Sequence, residues 1–219
     1  NGARLEIRAS SPEGPSRLVR GFPIEWWTAQ ESPGFGVHGD WVAYSETVGD
    51  STRLMIARGG EDGRPVFTAP GFVDQIAWSY DRRWIAARQI MPQGRGFAFE
   101  ILLFSVTPEG TLASQPRVLE TEAWMGLNHR WLPDNRSLAL RGLAQEGVEH
   151  HIWLVPIAEG EAAVPLNMGG DIWGIGGAGT VVISPDRRQI AFSQEERRGS
   201  SIWIIDYGEF LREKELAGR

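Results

Sequence analysis

The residues that could do chemistry in this sequence are few and scattered. Gly174-Ile175-Gly176-Gly177-Ala178-Gly179 has the spelling of a dinucleotide-binding glycine pattern. That chemistry needs a helix N-terminus facing the pyrophosphate, and the following Thr180-Val181-Val182-Ile183 reads as a strand. The stretch is expected to be a flexible connection. A nucleophilic hydrolase needs a serine on a strained elbow, and no Gly-x-Ser-x-Gly occurs. His150 and His151 are neighbours in a strand-like run, so they face opposite sides and cannot chelate one ion. Glu195-Glu196-Arg197-Arg198 reads as a solvated hairpin tip rather than an acid/base pair. Paired carboxylates for glycoside hydrolysis would need a defined separation that spacing across repeats does not set. No catalytic residue, metal-ligand set or cofactor is therefore assigned. The polar candidates for binding are Asn128 and His129, just ahead of Arg130-Trp131. The aromatic candidates are Trp26, Trp27, Trp124 and Trp173, which fall between apolar runs and could form a cage.

The elements that would position them form a repeat. Ala77-Trp78-Ser79-Tyr80-Asp81-Arg82-Arg83-Trp84-Ile85-Ala86-Ala87 aligns with Arg130-Trp131-Leu132-Pro133-Asp134-Asn135-Arg136-Ser137-Leu138-Ala139-Leu140. Both align with Val182-Ile183-Ser184-Pro185-Asp186-Arg187-Arg188-Gln189-Ile190-Ala191-Phe192. The aspartates Asp81, Asp134 and Asp186 lie 53 and then 52 residues apart, a period that fits a four-stranded unit. Each copy reads as a hairpin: an apolar strand, a turn around Asp, and an alternating apolar strand. The aspartates are structural in this reading, because a carboxylate in a turn accepts hydrogen bonds from amides two residues on. Third strands follow at Glu100–Val106, His151–Ile157 and Ser201–Tyr207. Shorter fourth strands follow at Arg64–Ala69, Arg117–Thr121 and Ala163–Asn167. A degraded copy lies upstream, where a loop from Phe35 to Gly39 is expected in place of the tight turn and Asp40–Tyr44 supplies the second strand. Ten tryptophans are present, and Trp41, Trp84, Trp131, Trp153 and Trp203 recur at strand positions suited to packing between sheets.

Composition narrows the function class. A chain of 219 residues with 42% hydrophobic and 23% charged residues can bury a core. A net charge of -6 argues against nucleic acid or an anionic membrane as the partner. No run of 18 apolar residues suggests membrane insertion, and the absence of cysteine leaves redox compartment unread. Of 22 basic residues only Lys214 is lysine, a bias suggesting a GC-rich genome.

Ser184-Pro185-Asp186 with Ile190-Ala191-Phe192 and Ile202-Trp203-Ile204-Ile205-Asp206 resembles the TolB-type, WD-repeat-like β-propeller family. Trp131-Leu132-Pro133-Asp134 with Ile152-Trp153-Leu154-Val155-Pro156 does so too. The resemblance implies an all-β chain: a propeller of about four to five four-stranded blades, or part of a larger one. It reads as a single domain over 1–219, with a partial first blade at 1–21, blades at 24–70, 72–123, 125–168 and 171–207, and a short helix at 209–217. Arg or Asn stands where the family places Gly after each turn Asp, which leaves the turn subtype open. Asn128 and His129 would lie near the central channel. The resemblance further implies a non-catalytic binding or protein-interaction scaffold with a protein or peptide partner, of bacterial origin, and periplasmic or secreted rather than cytoplasmic. The alternatives are the gating propeller of a multidomain prolyl-oligopeptidase-like peptidase, and a small-molecule or sugar hydrolase working in the channel. Further blades or domains of the same gene product are expected partners in the first two. Glu31–Asp40, Met91–Ala98 and Asn167–Gly179 are read as the long loops available for contact.

Overall fold

In a computed structural model, the described residues are 4–11, 14–23, 34–59, 61–94, 96–119, 128–143, 150–165, 181–196, 199–210 and 212. The chain divides into two compact units, Asn1–Val118 and Leu119–Arg219.

The first unit opens with a hairpin of β1 (Arg4–Ser11) and β2 (Gly14–Pro23), which pairs Leu5 with Phe22 and Ile7 with Arg20. Two four-stranded antiparallel sheets follow. The first runs β3 (Phe35–His38), β4 (Trp41–Val48), β5 (Ser51–Arg58) and β6 (Arg64–Pro70). The second runs β7 (Phe72–Trp78), β8 (Trp84–Gln93), β9 (Gly96–Ser105) and β10 (Arg117–Val118). In the second unit, β11 (Asn128–Trp131), β12 (Ser137–Leu143), β13 (His150–Pro156) and β14 (Val164–Pro165) form another four-stranded sheet. A three-stranded sheet of β15 (Val182–Ile183), β16 (Gln189–Glu196) and β17 (Gly199–Asp206) completes it. Residues 207–210 and 212 are helical; the rest of the helix expected at 209–217 lies outside the described residues. Asp206 starts that turn by accepting from the Glu209 amide at 3.0 Å.

The sheets stack face to face within each unit. Trp41, Ala43, Leu54 and Ile56 of one sheet share a core with Ile85, Ala87, Leu102 and Phe104 of the next. In the second unit Leu132, Ala139 and Ile152 pack with Val181, Ile190 and Tyr207. The first four-stranded sheet buries apolar residues on both faces, with Val42, Tyr44, Met55 and Ala57 on the side away from the shared core.

The turns repeat bond for bond. Asp81 Oδ1 accepts from the Arg83 amide at 3.1 Å, Asp134 Oδ1 from Arg136 at 2.9 Å, and Asp186 Oδ1 from Arg188 at 3.1 Å. Each of these amides lies two residues on, which is the structural role expected of the aspartates. The residue after each Asp lies in the left-handed region: Arg82 at φ 62°, Asn135 at 57° and Arg187 at 61°. Arg and Asn therefore occupy the conformation Gly would take, and the turn subtype is unchanged. The carbonyls of Arg83, Arg136 and Arg188 then accept from the amides of Val106, Ile157 and Tyr207, tying each turn to the end of its third strand.

In the upstream copy the sequence expectation is overturned. Phe35–His38 is not a loop but the first strand of its sheet, paired with Trp41–Tyr44. Gly39, at φ 60°, makes the tight reversal between them. Gly36 serves a close approach: a Cβ there would stand 2.5 Å from the Ile76 carbonyl oxygen, and the Gly36 carbonyl accepts from the Trp78 indole at 3.2 Å. Both glycines resemble loop chemistry, but Gly36 serves sheet packing and Gly39 the turn. The Asp40 carbonyl accepts from the Gly59 amide at 2.7 Å, repeating the turn-to-third-strand bond of the other copies.

Candidate functional site

The β8–β9 hairpin is the longest in the first unit, and its far end carries the site. Met91–Ala98, expected as a long loop, is instead the continuation of both strands, with Met91 opposite Ala98, Pro92 opposite Phe97 and Gln93 opposite Gly96. Gly94, at φ 59°, turns the chain. Opposed residues in an antiparallel pair share a face. Phe72, Ile90 and Phe99 are therefore aligned across three strands, and Pro92 and Phe97 extend the row toward the tip. Phe97 is 60% exposed and Phe72 36%, so the row presents aromatic surface to solvent. Isolated exposed apolar residues are ordinary, whereas apolar residues aligned across strands make this row a candidate interaction surface.

The base of this row is rigidly built. Arg88 is buried and forks onto Asp74, with Nε to Oδ1 at 2.8 Å and Nη2 to Oδ2 at 2.6 Å. A bidentate pair fixes the guanidinium plane. The same guanidinium lies 5.7 Å from the Phe99 ring centroid, a cation–π contact that orients the ring. The register of β7 slips between Asp74 and Ala77, and Gln75 there takes φ 48°. A bulge of this kind re-aims the neighbouring side chain, here Asp74 toward Arg88. The β6–β7 connection is pinned from two sides: Gln89 Nε2 donates to the Pro70 carbonyl at 2.8 Å and Thr52 Oγ1 to the Gly71 carbonyl at 2.7 Å. Gly71, at φ 73°, passes so close to the Ile90 carbonyl that no side chain fits. Phe72 is thus held in place by its neighbours on both sides.

A second feature lies at the turn end of the same sheet. A cleft of about 550 Å³ is lined by Asp81, Arg82, Arg83, Trp84, Ser105, Val106 and Pro108. Beside it, the buried Trp41 ring is flanked by Arg58 at 5.4 Å and Arg82 at 5.2 Å. Arg58 is held by Asp40 at 2.9 Å, and this hydrogen bond and charge hold the Asp40 carboxyl below its ordinary range. The polar groups here serve one another, and among the described residues no three His, Asp or Glu side chains gather as metal ligands.

Of the residues expected from sequence, Asn128 and His129 open β11, and His129 is buried opposite Leu140. Trp26, Trp27, Trp124 and Trp173 lie outside the described residues. Phe72, Phe97 and Phe99 were not singled out in the sequence. The signal that could have found them is Phe97-Ala98-Phe99 directly after Gly94-Arg95-Gly96, a turn followed by an alternating aromatic strand.

No family model and no curated protein matches the sequence. Solved structures do match in fold. TolB from Acinetobacter baumannii superposes with a TM-score of 0.59 at 10% identity, over 89% of this chain and 44% of that one. A Mycobacterium tuberculosis puromycin-hydrolyzing peptidase superposes with a TM-score of 0.59 at 16% identity, over 95% of this chain and 37% of that one. The β-propeller domain of the Trilobed protease from Pyrococcus furiosus does so with a TM-score of 0.50 at 17% identity, over 79% of this chain and 53% of that one. The chain thus spans less than half the length of the TolB it matches. No helix among the described residues is long and apolar enough to cross a membrane. Antiparallel sheets in sequence order, three of them with the same Asp turn between their first two strands, and the match to these neighbours give this chain a TolB-like β-propeller fold.

Proposed function

We propose that the chain is a non-catalytic binding propeller that holds a protein or peptide partner on the end of the β8–β9 hairpin. The observation that carries this reading is the row of Phe72, Ile90, Phe99, Pro92 and Phe97, exposed at Phe72, Pro92 and Phe97 and half-buried at Ile90 and Phe99, beside the Asp74–Arg88 fork. Rigid aromatic side chains give large contact area at low entropy cost, which is what binding hot spots use. An extended or helical peptide with apolar anchors fits such a row. A periplasmic or secreted location, and blades beyond these residues, go with this reading.

The runner-up is the propeller portion of a multidomain peptidase. It is favoured by the match of nearly the whole chain to little more than a third of the puromycin-hydrolyzing peptidase. An α/β-hydrolase sequence in the same gene would move the reading there.

The test is selection of peptides from a random library on the 219-residue chain, followed by hydrogen exchange of the complex. Protection concentrated at 72 and 90–99 supports the proposal. Selected peptides that protect only other segments refute it.

A further inference from the structure

The cleft at the turn end of β7 and β8 has one wall made by the loop after β9, and that loop is held from several sides. Val106 bridges to Leu112. Between them the Thr107 amide donates to the Thr111 carbonyl at 2.8 Å and the Gly110 amide to the Thr107 carbonyl at 2.9 Å. Gly110, at φ 74°, passes so close to the Trp41 ring that no side chain fits there. Arg64 Nη2 donates to the Glu109 carbonyl, and Arg82 Nη2 reaches the Pro108 carbonyl at 3.5 Å. The wall is thus formed in advance of any ligand, as small-molecule sites generally are.

The charges that line the cleft do not balance. Outside the lining, Arg58 is held by Asp40 at 2.9 Å and Arg64 lies beside Glu109. Within it, two guanidiniums, Arg82 and Arg83, stand against one carboxylate, Asp81. Asp81 Oδ1 is engaged in its own turn, accepting from the Ser79 hydroxyl at 2.6 Å and the Arg83 amide at 3.1 Å. Arg83 Nε is 4.0 Å from Asp81 Oδ2, beyond hydrogen-bond reach, and the Arg83 side chain is 81% exposed. A singly charged anion brings this lining to neutrality, whereas a phosphate dianion beside Asp81 overshoots it. Trp84, Val106 and Pro108 supply an apolar wall next to the charges.

The geometry points to a binding site for a monocarboxylate with an apolar or aromatic body, its carboxylate taken by Arg82 and Arg83 and its body laid along Trp84, Val106 and Pro108. A guanidinium donates charge-assisted hydrogen bonds to a carboxylate in fixed directions, and a volume of about 550 Å³ suits a ligand of this kind. A free N-acylamino acid and the C-terminal residue of a peptide both carry that chemistry. The site is at the opposite end of β8 and β9 from Phe97, about 30 Å along the strands, and it stands or falls independently of a partner on the hairpin tip.

Calorimetric titration of the 219-residue chain with N-acetyl-phenylalanine tests it. Binding is expected at about millimolar affinity, and at least about tenfold weaker for N-acetyl-phenylalaninamide, which lacks the carboxylate, and for acetate, which lacks the body. Arg83→Gln and Arg82→Gly should each weaken N-acetyl-phenylalanine about tenfold to a hundredfold. Thermal denaturation should show both variants folded, since Arg83 is exposed and glycine suits the φ of 62° at position 82. Arg136→Gln, at the equivalent place in the next Asp turn, should leave the affinity unchanged. The tripeptide acetyl-Ala-Ala-Phe separates the two sources: tighter binding than N-acetyl-phenylalanine assigns the site to peptide C-termini, and equal or weaker binding to free acids. No binding of N-acetyl-phenylalanine, equal binding of acid and amide, or preference for inorganic phosphate overturns the inference. Full affinity in either arginine variant, or the same loss in Arg136→Gln, overturns it as well.

Discussion

Removing the Tyr207 hydroxyl tests whether the turn aspartates are structural. The Tyr207 hydroxyl donates to Asp134 Oδ2 at 2.7 Å, joining the residue after β17 to the turn of the preceding sheet. Asp134 Oδ1 meanwhile accepts from the Arg136 amide at 2.9 Å and the Ser137 amide at 3.1 Å. One carboxylate thus closes its own turn and anchors the next sheet. A hydrogen bond to a charged group contributes about 1.5–3 kcal/mol, and Tyr207 is 5% exposed. Tyr207→Phe should therefore cost about 2 kcal/mol. Asp134→Ala, which removes three bonds, should cost about 3 kcal/mol, and the double variant little more than that. A double-mutant cycle by urea denaturation should then return a coupling of about 1.5 kcal/mol. Alkaline pH supplies an independent arm. Burial, then the Asp134 hydrogen bond and charge, push the Tyr207 hydroxyl well above its ordinary value. A group raised on folding stabilises fully below its unfolded value of about 10 and loses that contribution as pH climbs toward its folded value. Wild type should lose stability above about pH 10 by an amount absent from Tyr207→Phe. A Phe variant with unchanged urea midpoint, or a coupling under about 0.5 kcal/mol, would mean that the Asp134 turn does not anchor Tyr207.

Two other substitutions test the local geometry. Arg187→Gly should raise stability by about 1 kcal/mol, because Arg187 sits at φ 61°, where a Cβ is disfavoured and glycine is not; thermal denaturation reads it. Gly36→Ala should lower stability by about 1–3 kcal/mol, because its Cβ would meet backbone oxygen rather than a movable side chain. An unchanged midpoint there would mean that β3 and β7 separate at no cost.

The blade repeat was legible because its turn chemistry is local. Asp two residues ahead of its amide partner, Pro or Tyr before it and apolar alternation on either side specify a hairpin without reference to the rest of the chain. The first strand of the upstream copy was not, because Gly36 and Gly39 signal a loop and only the neighbouring Ile76 carbonyl shows why glycine is required. The hairpin tip reads as a loop for a related reason. Pro92, Gly94 and Gly96 interrupt the pattern, yet Pro92 sits near the end of its strand and Gly94 takes the turn. The row of Phe72, Ile90 and Phe99 depends on cross-strand register, which joins residues far apart in sequence. The Asp74–Arg88 fork beneath it likewise spans two strands and a bulge.

Calorimetric titration of a selected peptide tests whether a partner is held on the aromatic end of β8 and β9. Phe97 is largely exposed, so Phe97→Ala should leave the fold intact. Loss of a Phe side chain that becomes buried on binding removes about 1.5–3 kcal/mol, so affinity should fall about tenfold to a hundredfold. Equal affinity for wild type and Phe97→Ala would mean that the peptide does not sit on this end of the hairpin.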